Sequence, residues 1–230
     1  MAAIATREFL SSLEALYPRQ ARGVVSPWSL VAATAFSSSN LPEAVPEVFK
    51  YALEGVNTHD ERQVLVRKLK DALFKSGTVV WAINASFSAP SCHSLLNCAI
   101  RNPFAIYLCR PKAWTKIRTR IFRSYIRRHG QRPFSLFSRS YILTFEFFST
   151  TFGYGYTYGY FGALSTAETS FTMVAALIAN DTPRQVDWHL KGSLRNGATL
   201  DEVKAVRQIA LDVARTSGVQ WKNEIPDIEA

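Results

Sequence analysis

Three helix-start signals in the last third of the chain restrict its fold most strongly. Two are capping boxes, Ser165–Glu168 and Thr199–Glu202, in which a hydroxyl and a carboxylate each accept a hydrogen bond from an amide of the first turn. Between them, Thr182 stands before Pro183 and predicts a side-chain cap at a further helix start. These three predicted helices end at Asn180–Asp181, Asn196–Gly197 and Gly218. Helices joined by such short turns pack as antiparallel neighbours.

The N-terminal part of the chain also shows helical periodicity. Apolar residues recur at helical spacing over residues 6–16, 27–36 and 41–56. A further capping box, Thr58–Glu61, predicts a helix that ends at Ser76–Gly77. Its expected apolar stripe consists of Val64, Leu65, Leu69, Leu73 and Phe74. No alternation typical of strands has comparable strength, so the predicted fold class is all-α.

The middle of the chain breaks this pattern. Residues 72–145 contain twelve lysines and arginines and no aspartate or glutamate, while the rest of the chain has a net charge of −3. We therefore predict a single domain with an N-terminal helical part at 1–85, an atypical basic segment at 86–143 and a helical core at 144–230. We expect this segment to be poorly packed or disordered, because prolines interrupt its helices and like charges repel, or to be in part retained intron or out-of-frame translation. The absence of acidic residues over so long a stretch argues against a nucleic-acid-binding domain. Such a domain usually has acidic residues in its fold and places its basic residues on one face.

Several classes of protein are excluded by what the sequence lacks. No apolar run is long enough to span a bilayer, and no secretory signal is visible. Cys92, Cys98 and Cys109 fit no zinc pattern, and the chain has no phosphate-binding loop, dinucleotide fingerprint or serine elbow. We expect no cofactor and no metal. The expected location is cytoplasmic, with the peroxisome and the mitochondrion as alternatives.

The helix after Pro183 carries the best candidate for chemistry. Thr182, Gln185 and His189 stand at i, i+3 and i+7 and share one face. His189 lies on a mainly apolar stripe near a helix start, where an imidazole can pass protons; the alternative is a core histidine. Glu168 also has a functional and a structural interpretation, as a catalytic carboxylate or as a capping residue. The glycine–aromatic stretch 152–162 predicts either close packing or a ligand-stacking surface.

Three segments of the last third carry a resemblance. Residues 174–179 read VAALIA, residues 181–189 read DTPRQVDWH and residues 196–203 read NGATLDEV. They resemble the carboxymuconolactone decarboxylase and AhpD-like superfamily, and most of all its fungal branch. The resemblance covers roughly residues 1–85 and 145–220. It implies an AhpD-like helical bundle that forms a homo-oligomer.

The resemblance also implies roles for particular residues. AhpD-type members carry a CxxC motif with a histidine four residues after the second cysteine; here these positions hold Thr182, Gln185 and His189. Because both thiols are absent, the disulfide cycle of a thiol peroxidase is excluded at this site. The family glutamate falls at Ser170, and Glu168, two positions earlier, is the candidate carboxylate. What remains is a decarboxylase-like pocket in which His189 donates or accepts a proton. Arg184, Gln185 and Thr182 would contact the substrate anion.

Three functions compete at this point. The first, which we favour, is a cofactor-independent lyase or proton-transfer enzyme that acts on an acidic, oxygenated small molecule. The second is a non-catalytic helical oligomer or interaction protein that kept the fold without the thiols. The third is a binder of nucleic acid or acidic surfaces that uses the basic middle segment, and it requires an affinity that falls steeply with salt.

Overall fold

The computed structural model describes residues 4–21, 24–83 and 149–228. Every regular element within these ranges is a helix, which confirms the predicted all-α class. The chain separates into two compact units, one formed by residues 1–92 with 163–230 and the other by residues 93–162. The predictions for the basic segment 86–143 lie outside the described residues. Within the described ranges, no helix is both long enough and apolar enough to cross a membrane.

The first unit begins with four α-helices and one short 3-10 helix. Their bounds are α1 Arg7–Leu16, α2 Trp28–Ser38, the 3-10 helix Pro42–Ala44, α3 Val45–Glu54 and α4 His59–Ile83. Thr6 caps α1 by accepting a hydrogen bond from the Phe9 amide at 3.3 Å. The predicted capping box at α4 is confirmed, because the Glu61 amide donates to Thr58 Oγ1 and the Thr58 amide donates to Glu61 Oε2.

Three further helices complete this unit. They are α5 Thr166–Ala179, α6 Pro183–Arg195 and α7 Leu200–Thr216. Both predicted capping boxes at the starts of α5 and α7 are present. The predicted ends of α6 and α7 are confirmed as well, since Gly197 and Gly218 adopt φ angles of 95° and 85°, which favour glycine.

The core lies around α2 and α5, which are buried along almost their whole length. Helix α2 packs against α3, α4, α5 and α7, and α5 packs against α2, α4, α6 and α7. Helix α2 and the second half of α5 are apolar on nearly all sides, as expected of helices that have no solvent-facing side. The N-terminal and C-terminal parts of the chain therefore share one core.

Helix α4 departs from the prediction in two ways. It continues past the predicted stop at Ser76–Gly77 to Ile83. Gly77 does not adopt the left-handed conformation that ends a helix, so the helix continues through it. Glycine lowers helix stability at this position but does not break the helix. Phe74, predicted in the apolar stripe, is 54 % exposed, whereas its neighbour Lys75 is 0 % exposed. The stripe that faces the core contains Leu65, Lys68, Leu69, Ala72, Lys75 and Ser76.

The C-terminal segment after α7 is fastened to the rest of the unit by polar contacts. The Arg207 guanidinium donates to the carbonyls of Ile225 at 2.9 Å and Pro226 at 2.6 Å. Trp221 Nε1 donates to the Ile178 carbonyl at 2.7 Å, near the end of α5. The Lys222 amide donates at 2.9 Å to Asp181, whose φ of 50° is left-handed. The segment thereby holds the turn between α5 and α6.

In the second unit, residues 149–162 are described. They begin with a π-helix, Ser149–Tyr158, in which aromatic rings four residues apart contact each other. A Cβ atom at Gly159 would lie 2.7 Å from the Gly155 carbonyl oxygen, so this position requires glycine. This close contact supports the interpretation that the glycines of the stretch allow tight packing. The ligand-stacking interpretation stays a prediction.

Candidate active site

His189 lies in the second turn of α6, at the border of the buried face. Its neighbours on that face, Val186, Leu190 and Ser193, are buried, whereas His189 is half-buried. Ser193 Oγ donates to the His189 carbonyl at 2.8 Å and so has an internal partner. In the part of the chain that the structure describes, no hydrogen bond joins the imidazole ring to another residue.

The protonation state of His189 follows from this position. The packed protein around the imidazole disfavours its charged form and lowers the pKa of His189 to about 4. The positive charge of Arg195 lowers this pKa further. At neutral pH the ring is therefore uncharged, and one of its nitrogens has a lone pair that can accept a proton from a bound molecule.

The start of α6 differs from the predicted cap. Thr182 occupies the capping position, but its hydroxyl donates to the Leu177 carbonyl at 3.0 Å and caps nothing. The predicted side-chain cap at Thr182 is therefore wrong, and the hydroxyl is directed to the end of α5 instead. The amides of Arg184 and Gln185 have no side-chain cap, and they give the helix start a partial positive charge.

The other predicted residues of α6 stand in its first turn. The exposed Arg184 guanidinium lies over the Trp188 ring, 4.9 Å from its centroid. Gln185 is half-buried. Thr182, Arg184, Gln185 and His189 thus fall within two turns of one helix.

Glu168 belongs to a different group, at the start of α5. It is buried, and its Oε2 accepts a hydrogen bond from the Ser165 amide at 2.8 Å as part of the capping box. Its Oε1 accepts a hydrogen bond from Lys68 Nζ and forms an ion pair with it. Among the described residues, no hydrogen bond connects Glu168 with His189.

Around Glu168 lies a set of buried and half-buried polar residues that the sequence analysis missed. We call Lys68, Asp71, Lys75, Glu168 and Thr169 the α4–α5 polar cluster. Lys75 Nζ lies 3.0 Å from Asp71 Oδ2 and donates to Thr169 Oγ1, also at 3.0 Å. Burial raises the pKa of Asp71 and lowers the pKa of Lys75, because both charged forms lose solvation. One sequence signal could have revealed the cluster: Lys68 and Lys75 stand at helical spacing with Leu65, Leu69 and Ala72.

The sequence of the C-terminal helices matches a known protein family. Residues 146–222 match the profile of the carboxymuconolactone decarboxylase family. They form a carboxymuconolactone decarboxylase family domain. This domain contains all five predicted site residues, Glu168, Thr182, Arg184, Gln185 and His189. The three α4 members of the polar cluster lie before it in the chain.

Two fungal proteins are similar to the chain that carries this domain. Peroxisomal protein 2 of Schizosaccharomyces pombe is 27 % identical over 219 residues, which cover 88 % of this chain and 93 % of that protein. Peroxisomal protein 2 of Saccharomyces cerevisiae is 36 % identical over 72 residues, 31 % of this chain and 25 % of that protein. Both relatives agree with the predicted fungal branch. No solved structure matches the chain significantly.

The described residues offer no metal centre to the decarboxylase-family domain. Within residues 4–21, 24–83 and 149–228, no three His, Cys, Asp or Glu side chains are grouped so that they could hold a metal ion. Helix α6 itself presents an imidazole, a guanidinium, an amide side chain and uncapped backbone amides.

Proposed function

We propose that the decarboxylase-family domain is a cofactor-independent proton-transfer enzyme, a lyase that acts on an acidic, oxygenated small molecule, with His189 as its acid–base group. One observation carries the proposal: His189 is an uncharged, half-buried imidazole whose ring forms no hydrogen bond within the described part of the chain. A core histidine would satisfy its ring nitrogens internally, because unpaired buried polar groups are costly.

The start of α6 supplies the site for the substrate anion. The uncapped amides of Arg184 and Gln185 and the Arg184 guanidinium would attract a carboxylate or an enolate. In a decarboxylation, the carbon–carbon bond to the carboxylate breaks, CO2 leaves and the electron pair forms an enolate. A bound anion beside His189 raises the pKa of the imidazole, so that it takes up a proton from solvent and transfers it to the enolate carbon.

Thr182 and Glu168 hold secondary positions in this proposal. The Thr182 hydroxyl is directed to the Leu177 carbonyl, so Thr182 would contribute through its place beside the uncapped amides. Both oxygens of Glu168 already have partners, Ser165 and Lys68. The capping role of Glu168 is therefore observed. Its catalytic role has less support, because neither oxygen is left for a substrate.

The proposal is tested by His189→Gln against a panel of γ-carboxylactones and β-keto acids. We expect turnover to fall by roughly two to four orders of magnitude, the usual effect of losing an acid–base group. His59→Gln is the matched control, because His59 is exposed at the start of α4. A variant that turns over the substrate as fast as the control would refute the assignment. A His189→Gln protein that no longer folds would assign His189 to the core.

The alternative function, a non-catalytic helical oligomer, is favoured by the absent thiols and by the structural engagement of Glu168. Self-association is also part of the main proposal. The exposed rings of Phe152, Tyr156 and Phe161 offer apolar surface to a second copy of the chain. We expect light scattering at micromolar concentration to give a mass above that of one chain, 25.8 kDa. A monomer peak alone would contradict self-association without affecting the role of His189.

The names of the two relatives bear on location. Both are called peroxisomal proteins, and the peroxisome is among the compartments that the sequence analysis left open. We include a peroxisomal location in the proposal. Imaging of the tagged full chain with a peroxisomal marker checks it, and a uniform cytoplasmic signal would contradict it.

A further inference from the structure

A groove of about 580 Å³ lies in the N-terminal part of the first unit, and its lining includes none of the residues assigned to the candidate active site. It is lined by the end of α1, the segment that leads into α2, the end of α3 and the start of α4. Its volume falls in the range of small-molecule sites, which run from about 300 to 1,000 Å³.

The described residues that line this groove carry a net negative charge. They include three carboxylates, those of Glu14, Glu54 and Glu61, and one guanidinium, that of Arg19. Glu61 is engaged in capping α4, whereas Glu14 and Glu54 have only side-chain partners, Tyr51 and Arg7. The groove therefore favours a cationic occupant.

Two aromatic rings define where such a cation would lie. The rings of Trp28 and Tyr51 meet edge to face, with their centroids 5.6 Å apart, so the Tyr51 ring is held in place. At one end of this ring, the Tyr51 hydroxyl donates to Glu14 Oε2 at 3.0 Å. An ordered aromatic ring beside carboxylates is the arrangement that binds organic cations.

The chain already places a guanidinium of its own on these groups. The Arg7 guanidinium lies over the Tyr51 ring, 5.6 Å from its centroid, and donates to both carboxylate oxygens of Glu54 at 2.9 and 2.6 Å. Arg7 is largely exposed, and an exposed ion pair of this kind contributes little to stability. An external guanidinium can therefore replace it at small cost.

We propose that this groove binds a small dication with a guanidinium at one end and an ammonium at the other, the class of agmatine. The guanidinium takes the place of Arg7 on Tyr51 and Glu54. The alkyl chain follows the Tyr51 ring, and the ammonium reaches Glu14 at the hydroxyl end of that ring. Arg7 is then an internal competitor of the ligand.

The competition makes the proposal testable with agmatine as the probe. Agmatine is titrated into the full chain by isothermal calorimetry at 150 mM salt. We expect saturable binding that becomes about fivefold tighter in Arg7→Ala, the combined effect of one exposed ion pair and one exposed cation–π contact. Glu54→Gln should weaken binding by a similar factor, because the carboxylate partner of the guanidinium is lost.

Lys50→Ala is the matched control. Lys50 is another exposed cation, paired with Glu47 at 2.7 Å on the same helix as Tyr51, and it does not line the groove. Both variants remove one positive charge, so a general attraction of cations would strengthen binding equally in the two. Equal effects of Arg7→Ala and Lys50→Ala would overturn the proposal, as would the absence of saturable binding in both the wild type and Arg7→Ala.

A second probe tests the ammonium position. In 4-guanidinobutanoate a carboxylate replaces the ammonium of agmatine, so it should bind at least tenfold more weakly, because its anionic end meets Glu14. Equal affinity for the two probes would overturn the assignment of a dication. Circular dichroism of each variant confirms that its helices are intact before binding is compared.

Discussion

The α4–α5 polar cluster and the candidate site on α6 both shield ionisable groups from water. They differ in whether these groups have partners within the protein. In the cluster, Lys75 is paired with Asp71 and hydrogen-bonded to Thr169, and Lys68 is paired with Glu168. On α6, His189 is held neutral and its ring has no hydrogen bond among the described residues. Burial lowers the pKa of Lys75 as well as that of His189, so a shifted pKa does not distinguish the two regions.

What distinguishes them is whether the ionisable group has partners within the protein. A buried ion whose partners all belong to the chain holds helices together, and it has little capacity left for a substrate. A half-buried imidazole without such a partner contributes less to the fold and can exchange a proton with a bound molecule. This comparison makes three predictions, from the largest effect on stability to the smallest.

The largest effect is expected at Lys75. Lys75→Met keeps the volume of the side chain but leaves Asp71 buried without its cation, so the free energy of unfolding should fall by about 3 to 5 kcal/mol. Urea denaturation measures the change. The double variant Lys75→Met/Asp71→Leu should recover most of the loss, because no charge is then left buried alone. Lys70→Met, at an exposed position of the same helix, should change stability by less than about 0.5 kcal/mol. Equal losses in the two lysine variants would contradict a structural role for the cluster.

A smaller effect is expected at Glu168, and it decides between the two interpretations of this residue. Glu168→Gln keeps an oxygen for the Ser165 amide but removes the charge opposite Lys68, so stability should fall by about 2 kcal/mol. Turnover per folded molecule should stay within about twofold of the wild type. Glu202→Gln is the control, since Glu202 closes the equivalent capping box of α7 and its Oε1 accepts a hydrogen bond from the uncharged Tyr17 hydroxyl at 3.0 Å. A hundredfold loss of turnover in Glu168→Gln alone would make Glu168 catalytic.

The third effect is a dependence of stability on pH at His189. Its pKa is about 4 in the folded protein and about 6.5 when unfolded, so between these values only the unfolded chain binds the proton. Stability should therefore fall as the pH decreases from 6.5 towards 4. His189→Gln removes this term, so between pH 7.5 and pH 5 the wild type should lose about 1 to 2 kcal/mol more than the variant. Urea denaturation at the two pH values measures the difference, with His59→Gln behaving as the wild type. Equal losses in wild type and His189→Gln would show an ordinary, solvated imidazole.

Local rules at helix ends made much of the fold predictable. The capping boxes at Thr58, Ser165 and Thr199 and the glycines at 197 and 218 act through hydrogen bonds and backbone angles within a few residues, so the sequence shows them directly. The face shared by Thr182, Gln185 and His189 was predictable for the same reason, because the helical period alone sets it.

The failures share a cause, which is competition from residues distant in sequence or across a turn. The Thr182 hydroxyl bonds to the Leu177 carbonyl instead of the start of α6. Phe74 is exposed and Lys75 is buried because α5 presents Thr169 to α4. The partner of Glu168 is Lys68, one hundred residues earlier in the chain.

The sequence by itself therefore determined the all-α class, the helix starts and the histidine that α6 presents. Only the tertiary structure decided which ionisable groups are paired, since pairing depends on how α4 meets α5, and no local pattern encodes that contact. It also decided that His189 is uncharged at neutral pH, because the desolvation of an imidazole is a property of all the atoms packed around it.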